Sequence, residues 1–267
     1  MYQNQDIVEL TQRIIQSKKY KNLYRKTIKR VVVESLEKYG KKQAEKRAKK
    51  LLHQMWGAYY GTQPNFKKLL TKFGRDIKEG RDLKESLLPI LALQSSTYER
   101  RSLLNNFYQK IFSITGCPNS IIDHACGLNP LTIFWMGLPQ ETRYRAFDID
   151  KEQVNFLRSI FRLVSPESKV EISLGDILVD EFDYADVVFM LKLLPCLEHQ
   201  NKGISLQVMK RQKCQYLVIS FPVRSLSGKR KGMIDFYTTE FQDLIKGERW
   251  IWERILFETE LVFVVKK

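Results

Sequence analysis

Three short apolar runs in the second half of the chain each end in residues that could bind a nucleoside. The first run leads into the turn Asp123–Asn129, where small residues would let a ligand approach the backbone. The second run ends at Asp148, about 20 residues later, where a carboxylate can accept hydrogen bonds from ribose hydroxyls. The third ends at Asp176, whose carboxylate could accept a hydrogen bond from an adenine amino group. Together, the three strand ends predict a nucleoside cofactor.

A segment before the first run could bind a carboxylate. Ser96 and Glu99 have the spacing of a capping box, which predicts that a helix starts at this point. Arg100 would then lie in the first helical turn, where the helix dipole disfavours cations. An arginine in such a place, beside free backbone N–H groups, predicts a bidentate contact with a carboxylate. S-adenosylmethionine carries a ribose, an adenine and such a carboxylate.

The cysteines and histidines favour neither metal nor thiol chemistry. The chain has four widely spaced cysteines without a CxxC pair and three histidines without an HxxxH or HExxH pattern. His124 and Cys126 are close in sequence, but a thiol nucleophile needs a base that the fold brings to it. We therefore expect no metal site and no disulfide framework.

Apolar patterning divides the chain into two domains. Apolar residues recur at helical spacing from Ile7 to Trp56, whereas the second half alternates β-rich runs with helical stretches such as Lys151–Val164. This pattern predicts a helical domain over 1–110 and an α/β domain over 111–267, with a mostly parallel sheet that binds its ligand at the carboxyl ends of the strands. The β-rich runs are 120–126, 144–150, 169–176, 184–192, 215–222 and 261–265.

The excess of positive over negative charge lies entirely in the first domain. The chain carries 45 Lys+Arg and 30 Asp+Glu, a net charge of +15, and residues 1–110 hold 25 of the basic and 10 of the acidic residues. A surface of a single sign repels itself, and a phosphate backbone is the partner that would use it. We therefore predict a surface that docks on RNA, with Lys29, Arg30, Lys46 and Arg47 among its contacts.

Seven separated stretches of the sequence are distinctive, namely Leu52–Gly57, Ser95–Arg100, Leu104–Tyr108, Asp123–Leu131, Phe147–Asp150, Leu191–Pro195 and Ile219–Lys229. In their residues and their order, these stretches resemble one known family, the 16S ribosomal RNA guanine-N7 methyltransferases of the Arm and Rmt type that give aminoglycoside resistance. The first glycine of the family's common GCG turn is Ala125 here, and the start of the chain is more divergent.

The resemblance implies a class I S-adenosylmethionine-dependent methyltransferase, with a Rossmann-like, mostly parallel seven-stranded sheet and an all-α N-terminal domain. It also implies a set of cofactor contacts in this sequence. Arg100 would bind the methionine carboxylate with Ser95 and Ser96 nearby, Ala125 would lie in the turn under the cofactor, Asp148 would bind the ribose, Asp176 and Ile177 the adenine, Leu191 and Gln200 would close the pocket, and Tyr60 would cover it.

The chemistry of guanine N7 predicts catalysis without a general base. N7 has a free lone pair and carries no proton, so we expect no catalytic His, Asp or Glu. Catalysis would come from desolvation and from alignment of nucleophile and methyl at about 3–3.5 Å. N7 lies in the deep, narrow major groove of A-form RNA, so the base must turn out into the pocket. Trp56, Tyr59, Trp135 and Phe221 are candidates to stack on it.

A basic segment at Arg224–Gly232 follows a predicted strand end and carries four cations. We predict that it contacts RNA phosphates beside the cofactor, with Arg224 and Lys229 as the best candidates. Methylation of N7 would remove a hydrogen-bond acceptor and fix a positive charge on the base. Polycationic aminoglycosides would then lose a contact and meet repulsion.

Three other functions stay open at this point. A related resistance enzyme could methylate adenine N1 in the same decoding site, and mapping of the modified base by primer extension would separate the two. A nicotinamide oxidoreductase would use the same crevice, although the GxGxxG pattern is absent. A non-catalytic RNA-binding protein would explain the basic half but would leave Arg100, Asp148 and Asp176 without a role.

The remaining expectations concern location and assembly. The start of the chain, Met1–Asp6, is polar, and no run of about 18 apolar residues follows. We therefore expect a cytoplasmic monomer whose partner is 16S rRNA in the 30S subunit.

Overall fold

A computed structural model describes residues 4–57, 64–223 and 232–267 of the chain. These residues form eleven α-helices and seven β-strands. The helices are α1 (Asn4–Gln16), α2 (Arg25–Tyr39), α3 (Lys41–Leu52), α4 (Phe66–Lys78), α5 (Leu83–Leu91), α6 (Ser95–Arg100), α7 (Leu104–Thr115), α8 (Lys151–Val164), α9 (Leu194–Gln200), α10 (Ile204–Arg211) and α11 (Met233–Ile245). The strands are β1 (Ser120–His124), β2 (Arg143–Asp148), β3 (Val170–Leu174), β4 (Ala185–Leu191), β5 (Cys214–Pro222), β6 (Ile251–Leu256) and β7 (Glu260–Lys266).

Side-chain caps fix the start of three helices. Asn65 accepts a hydrogen bond from the backbone of Lys68 at the start of α4, and Asp82 does the same for α5. Asp150 caps α8, where its carboxylate accepts from two backbone N–H groups. Each cap satisfies donors that have no partner within the helix, so each marks a boundary that the local sequence sets.

The seven strands form one sheet in the order β3-β2-β1-β4-β5-β7-β6. Strands β1 to β5 are parallel, and β7 runs antiparallel between β5 and β6. The prediction of a mostly parallel, Rossmann-like sheet is therefore confirmed. The strand order reverses between β1 and β4, which is where an open α/β sheet leaves a crevice for its ligand.

The predicted β-rich runs correspond to β1 to β5 and β7, whereas β6 was missed. Strand β6 lies at the edge of the sheet, and its end residues Ile251 and Leu256 are exposed. An edge strand of this kind has no continuous apolar run for a sequence pattern to detect.

Two groups of helices in the first half of the chain contribute to different hydrophobic cores. Helices α1 to α3 enclose their own hydrophobic core, which includes Ile14, Ile28 and Leu36. Helices α4, α5 and α7 instead contribute apolar side chains, among them Phe107, to the core on one face of the sheet. The predicted domain boundary at residue 110 therefore does not coincide with the boundary between the cores. We call 4–57 the N-terminal lobe and the rest of the described chain the sheet domain.

The N-terminal lobe contacts the sheet domain through the segment before α2. The backbone N–H of Tyr24 donates to the carbonyl of Ile149 at 2.8 Å, and that of Lys151 donates to the carbonyl of Asn22 at 2.9 Å. These bonds attach the lobe to the residues that directly follow β2. None of the helices within the described ranges is long and apolar enough to cross a membrane.

Candidate cofactor-binding site

A pocket lies at the carboxyl ends of β1 to β4, between the sheet domain and the N-terminal lobe. It brings together most of the residues that the sequence predicted as cofactor contacts. Those that line it are Ser96, Ala125, Asp148, Asp176, Ile177, Leu191 and Gln200. The lobe contributes Met55 and Trp56 to the same lining.

The turn after β1 has a left-handed backbone. Ala125 has φ +49° and Gly127 has φ +52°. A left-handed conformation is uncommon for alanine and is found mostly where the surrounding structure holds it in place. A Cβ on Gly127 would collide with the side-chain amide of Gln94, whose Oε1 accepts a hydrogen bond from the backbone of Leu128. The turn therefore brings main chain, with one methyl group, to the floor of the pocket.

Asp148 ends β2 with its carboxylate held by backbone donors. One oxygen accepts from the N–H of Gly127 at 2.9 Å and the other from the N–H of Asp150 at 3.0 Å. Burial raises the pKa of Asp148 above its ordinary value, and these two hydrogen bonds oppose that shift. The carboxylate has a fixed orientation toward the pocket and keeps acceptor sites for ribose hydroxyls.

Asp150, two residues further on, is a structural carboxylate. It is 1% exposed, caps α8, and accepts a hydrogen bond from Trp56 Nε1 at 2.7 Å. Burial raises its pKa. The sequence signal for this residue was its position directly before the helical stretch at Lys151, which is typical of an N-cap. Trp56, a candidate to stack on a base, thus lines the pocket while its indole N–H is bound.

Asp176, after β3, is held by side chains of helix α2. Its Oδ2 accepts from Thr27 Oγ1 at 2.8 Å and from Arg30 Nε and Nη2, each at 3.3 Å. Arg30 Nη2 also donates to Gln200 Oε1 at 3.0 Å. The structure thus corrects the predicted place of Arg30, whose side chain is only 12% exposed and is directed toward the sheet domain. Arg30 lies one helical turn after Thr27, on the face of α2 that packs against the sheet domain.

The structure also corrects the predicted surroundings of Arg100. Helix α6 begins at Ser95 with Gln94 as its cap residue, so the predicted capping box at Ser96 does not form. Arg100 is the last residue of this helix, where the dipole favours a cation. The residue is 1% exposed and does not line the pocket, and Ser95 does not line it either.

Arg100 is bound by a buried carboxylate that the sequence did not point to. Its Nε and Nη2 donate to the two oxygens of Glu260, at 3.0 and 2.7 Å, and its Nη1 donates to Asn129 Oδ1 at 2.6 Å. Burial would raise the pKa of Glu260, but the charges of Arg100 and Lys192 outweigh it and the pKa is lowered. A direct contact between Arg100 and a cofactor carboxylate stays a prediction.

Lys192 connects this ion pair with the pocket. It has φ +55°, lines the pocket after β4, and places Nζ 2.5 Å from Glu99 Oε2 and 3.8 Å from Glu260 Oε2. The sequence contained this lysine within the stretch Leu191–Pro195, but no local pattern distinguished it from its neighbours. A cation at the end of β4 is therefore a pocket residue that sequence reasoning missed.

The titratable groups beneath the turn after β1 are buried and make hydrogen bonds with neighbouring groups. Burial raises the pKa of Cys126 well above its ordinary value, so its thiol is kept protonated and unreactive. Burial also lowers the pKa of His124 to about 4, and the ring lies 2.9 Å from Gln212 Oε1. Asp123 accepts from Tyr144 and Asn129, at 2.6 and 2.9 Å, and burial raises its pKa to about 7. This arrangement does not favour thiol chemistry.

The other residues predicted to bind RNA fall into two groups. Lys29, Lys46 and Arg47 are exposed on the N-terminal lobe. Arg47 lies over the ring of Tyr39, 4.7 Å from its centre. Arg224 and Lys229 lie outside the described residues. So do Tyr59, a candidate to stack on the base, and Tyr60, which was predicted to cover the cofactor.

A seven-stranded sheet in this order, with a pocket at the carboxyl ends of β1 to β4, has the fold of a class I methyltransferase. The chain belongs to the ribosomal RNA methyltransferase (FmrO) family, whose family model matches residues 16–264. The resemblance that the separated sequence stretches indicated is thereby confirmed.

Known relatives match nearly the whole chain. A 16S rRNA (guanine(1405)-N(7))-methyltransferase of Proteus mirabilis is 34% identical, over 98% of this chain and 97% of its own. One from Micromonospora echinospora is 32% identical, over 98% and 97%. Among solved structures, the 16S rRNA methyltransferase RmtF in complex with S-adenosyl-L-homocysteine matches all of both chains with a TM-score of 0.81 and 26% identity. The 16S rRNA methylase ArmA matches 77% of this chain and 99% of its own, with a TM-score of 0.61 and 32% identity.

Proposed function

We propose that the protein transfers a methyl group from S-adenosylmethionine to N7 of a decoding-site guanine in 16S rRNA, and that this modification confers aminoglycoside resistance. The observation that carries the proposal is the pocket in which Ala125, Asp148 and Asp176 meet, in a chain that belongs to a ribosomal RNA methyltransferase family. The similarity to guanine-N7 enzymes supports it because it includes the N-terminal lobe as well as the sheet domain.

The residues of the pocket fit S-adenosylmethionine. Asp148 offers an oriented carboxylate for the ribose, and Ile177 and Leu191 offer apolar surface for the adenine ring. The Ala125 turn leaves room above the carboxyl end of β1, because only a methyl group projects from it. When bound, the cofactor supplies a methyl group that a positively charged sulfur activates.

The described residues act by holding and orienting their ligands. Guanine N7 already carries a lone pair and no proton, so no side chain has to remove one. The buried groups behind the pocket pair with one another, Asp123 with Tyr144 and Glu260 with Arg100. Such a satisfied network keeps the pocket walls rigid and suits catalysis by alignment.

We further propose that the N-terminal lobe docks on the assembled 30S subunit. Lys29, Lys46 and Arg47 are exposed cations on α2 and α3 that can contact phosphates of several rRNA helices. Arg224 and Lys229 are the proposed contacts beside the target base. We propose that the enzyme acts as a monomer in the cytoplasm.

The test is transfer of labelled methyl from S-adenosylmethionine to purified bacterial 30S subunits, followed by borohydride and aniline cleavage at N7-methylguanine. One cut at a decoding-site guanine is expected. Incorporated label without cleavage would point to adenine N1. Cofactor binding without incorporation would send the search to other RNAs, and naked 16S rRNA serves as the comparison substrate.

A further inference from the structure

Helix α2 presents two faces with different surroundings. Thr27 is fully buried against the sheet domain, and Arg30, one turn later, is nearly so, with 12% of its side chain exposed. Lys29 lies between them in sequence but on the opposite, exposed face. The inner face of α2 therefore forms part of the pocket's surroundings, whereas its outer face is free for a partner.

A side chain on the inner face of α2 hydrogen-bonds to two residues that line the pocket. Arg30 Nη2 donates both to Asp176, in the loop after β3, and to Gln200, the last residue of α9. Arg30 Nε and the hydroxyl of Thr27 donate to the same oxygen of Asp176, so this oxygen has three donors on α2. Arg30 is thus a bridge between two pocket residues that lie on different parts of the sheet domain.

We propose that Arg30 is a positioning residue that sets the recognition of adenine, by holding Asp176 and Gln200 in place at the adenine end of the pocket. This inference rests on the proposed function, because it takes S-adenosylmethionine as the ligand of the pocket. It makes the N-terminal lobe part of the cofactor site, in addition to its proposed role in RNA docking.

The chemistry of the carboxylate explains why a cation is needed here. The Asp176 side chain is 6% exposed, and a buried carboxylate without a paired cation is strongly disfavoured. Its Oδ1 is fixed by the backbone N–H of Leu178 at 2.9 Å, so Arg30 and Thr27 determine how Oδ2 is placed. A carboxylate paired with Arg30 remains an acceptor only.

An acceptor-only group discriminates between purines. The 6-amino group of adenine donates a hydrogen bond, whereas hypoxanthine has an oxygen acceptor at the same position. A site built to accept the amino N–H rejects the oxygen, because two acceptors then face each other. Loss of Arg30 frees the Asp176 side chain to move, and the preference for adenine should fall with it.

The experiment is calorimetric titration of the full-length protein with S-adenosylhomocysteine and with S-inosylhomocysteine, in which oxygen replaces the 6-amino group. The unaltered protein should prefer the adenine ligand. In Arg30→Ala, the Kd for S-adenosylhomocysteine should rise about tenfold, the effect of one lost hydrogen-bonded contact. The Kd for the inosine ligand should change much less, so the preference shrinks. Arg30→Lys should restore part of it, because an ammonium can still pair with Asp176.

The neighbouring variant Lys29→Ala is the matched control, since it removes a cation from the outer face of the same helix. Its Kd values for both ligands should equal those of the unaltered protein. Equal weakening of both ligands by Arg30→Ala, or an unchanged Kd for S-adenosylhomocysteine, would overturn the proposal. Failure of the unaltered protein to bind S-adenosylhomocysteine would overturn the proposed function itself, and this inference with it.

Discussion

Asp148 and Asp176 lie at the carboxyl ends of two neighbouring parallel strands and line the same pocket. Their carboxylates, however, accept hydrogen bonds from different parts of the chain. The carboxylate of Asp148 accepts from backbone N–H groups within the sheet domain. That of Asp176 accepts from Thr27 and Arg30 of the N-terminal lobe. The side of the pocket at Asp148, here the Asp148 wall, is therefore held in place by the sheet domain alone. The side at Asp176, the Asp176 wall, also needs hydrogen bonds from the N-terminal lobe.

This difference shows how a substitution should act at each wall. The Asp148 wall depends on backbone geometry within the sheet domain, which also contains the buried Arg100–Glu260 ion pair, so substitutions there should reduce stability or cofactor affinity strongly. The Asp176 wall depends on side chains at an interface, so its failure should be milder and should not unfold the sheet domain. The following predictions test this ranking.

The largest effect is expected for Arg100→Ala. It leaves the fully buried carboxylate of Glu260 without its hydrogen-bonded cation and with only Lys192 at 3.8 Å, so the free energy of unfolding should fall by about 3–5 kcal/mol. Denaturant titration measures this loss. Arg101→Ala is the control, because the guanidinium of Arg101 lies over the ring of Tyr98 and its loss should lower stability by about 1 kcal/mol or less. Similar losses in both variants would mean that the Arg100–Glu260 pair does not stabilise the sheet domain.

Arg100→Ala also tests the cofactor contact that the sequence predicted. Under conditions where the variant is folded, S-adenosylhomocysteine and adenosine can be titrated in parallel, because adenosine lacks the carboxylate. Selective loss of affinity for S-adenosylhomocysteine would support a direct contact with Arg100. Equal change for the two ligands would show that Arg100 acts through Glu260.

Asp148→Ala should have the next largest effect, on cofactor binding. The variant loses the oriented acceptor for the ribose, and the Kd for S-adenosylmethionine should rise about 100-fold, which corresponds to about 2.7 kcal/mol. Asp186→Ala is the matched control, because this carboxylate also accepts from backbone N–H groups but lies at the opposite, amino end of the sheet, so the Kd should stay within about threefold. Near-normal binding by Asp148→Ala would remove this residue from the cofactor site.

The same ranking explains what the sequence could and could not predict. Strand ends and helix caps are local features, so the six predicted strands, helix α8 and the pocket positions of Asp148 and Asp176 could be read from short windows. The partners of the two arginines are not local. Arg100 pairs with Glu260 across 160 residues, and Arg30 with Asp176 across 146. Charge and spacing in one segment contain no information about such partners, so both arginines were predicted to contact ligands.

Charge reversal on the outer surface of the lobe should leave both walls intact. Lys46→Glu with Arg47→Glu should weaken 30S binding at least about tenfold and lower the slope of log affinity against log salt by about 1–2, because phosphate contacts are lost. Filter binding at several salt concentrations measures both. Arg143→Glu with Lys169→Glu, on exposed positions of the sheet domain, controls for net charge. Unchanged 30S affinity would show that these cations form only a solvated face.

Thr27→Val should show that the Asp176 wall fails mildly. The substitution removes the hydroxyl that donates to Asp176 while keeping the shape of the side chain, and the free energy of unfolding should fall by about 1.5 kcal/mol. Thr27→Ser keeps the donor and should lose less. A loss as large as that of Arg100→Ala would contradict the ranking of the two walls.

The smallest predicted effect is that of pH on the free energy of unfolding, and it comes from His124 in the sheet domain. Burial lowers the pKa of His124 from its ordinary value of 6.5 to about 4, and this residue directly precedes the Ala125 turn. Because the pKa in the folded state is lowered, the stability contribution is present above pH 6.5 and is lost as the pH falls toward 4. At pH 6 the loss should be about 1 kcal/mol. Denaturant titrations at pH 7.5 and pH 6 measure it.

A His124→Gln variant should lack this part of the pH dependence, whereas His199→Gln, which alters an exposed histidine, should keep it. The raised pKa of Asp123 acts in the opposite direction, since its contribution is lost as the pH rises through about 7. That contribution is common to all three proteins and cancels in their difference. If the free energy of unfolding changes by the same amount between pH 7.5 and pH 6 in His124→Gln and in the unaltered protein, the neutral histidine does not contribute to the pH dependence of stability.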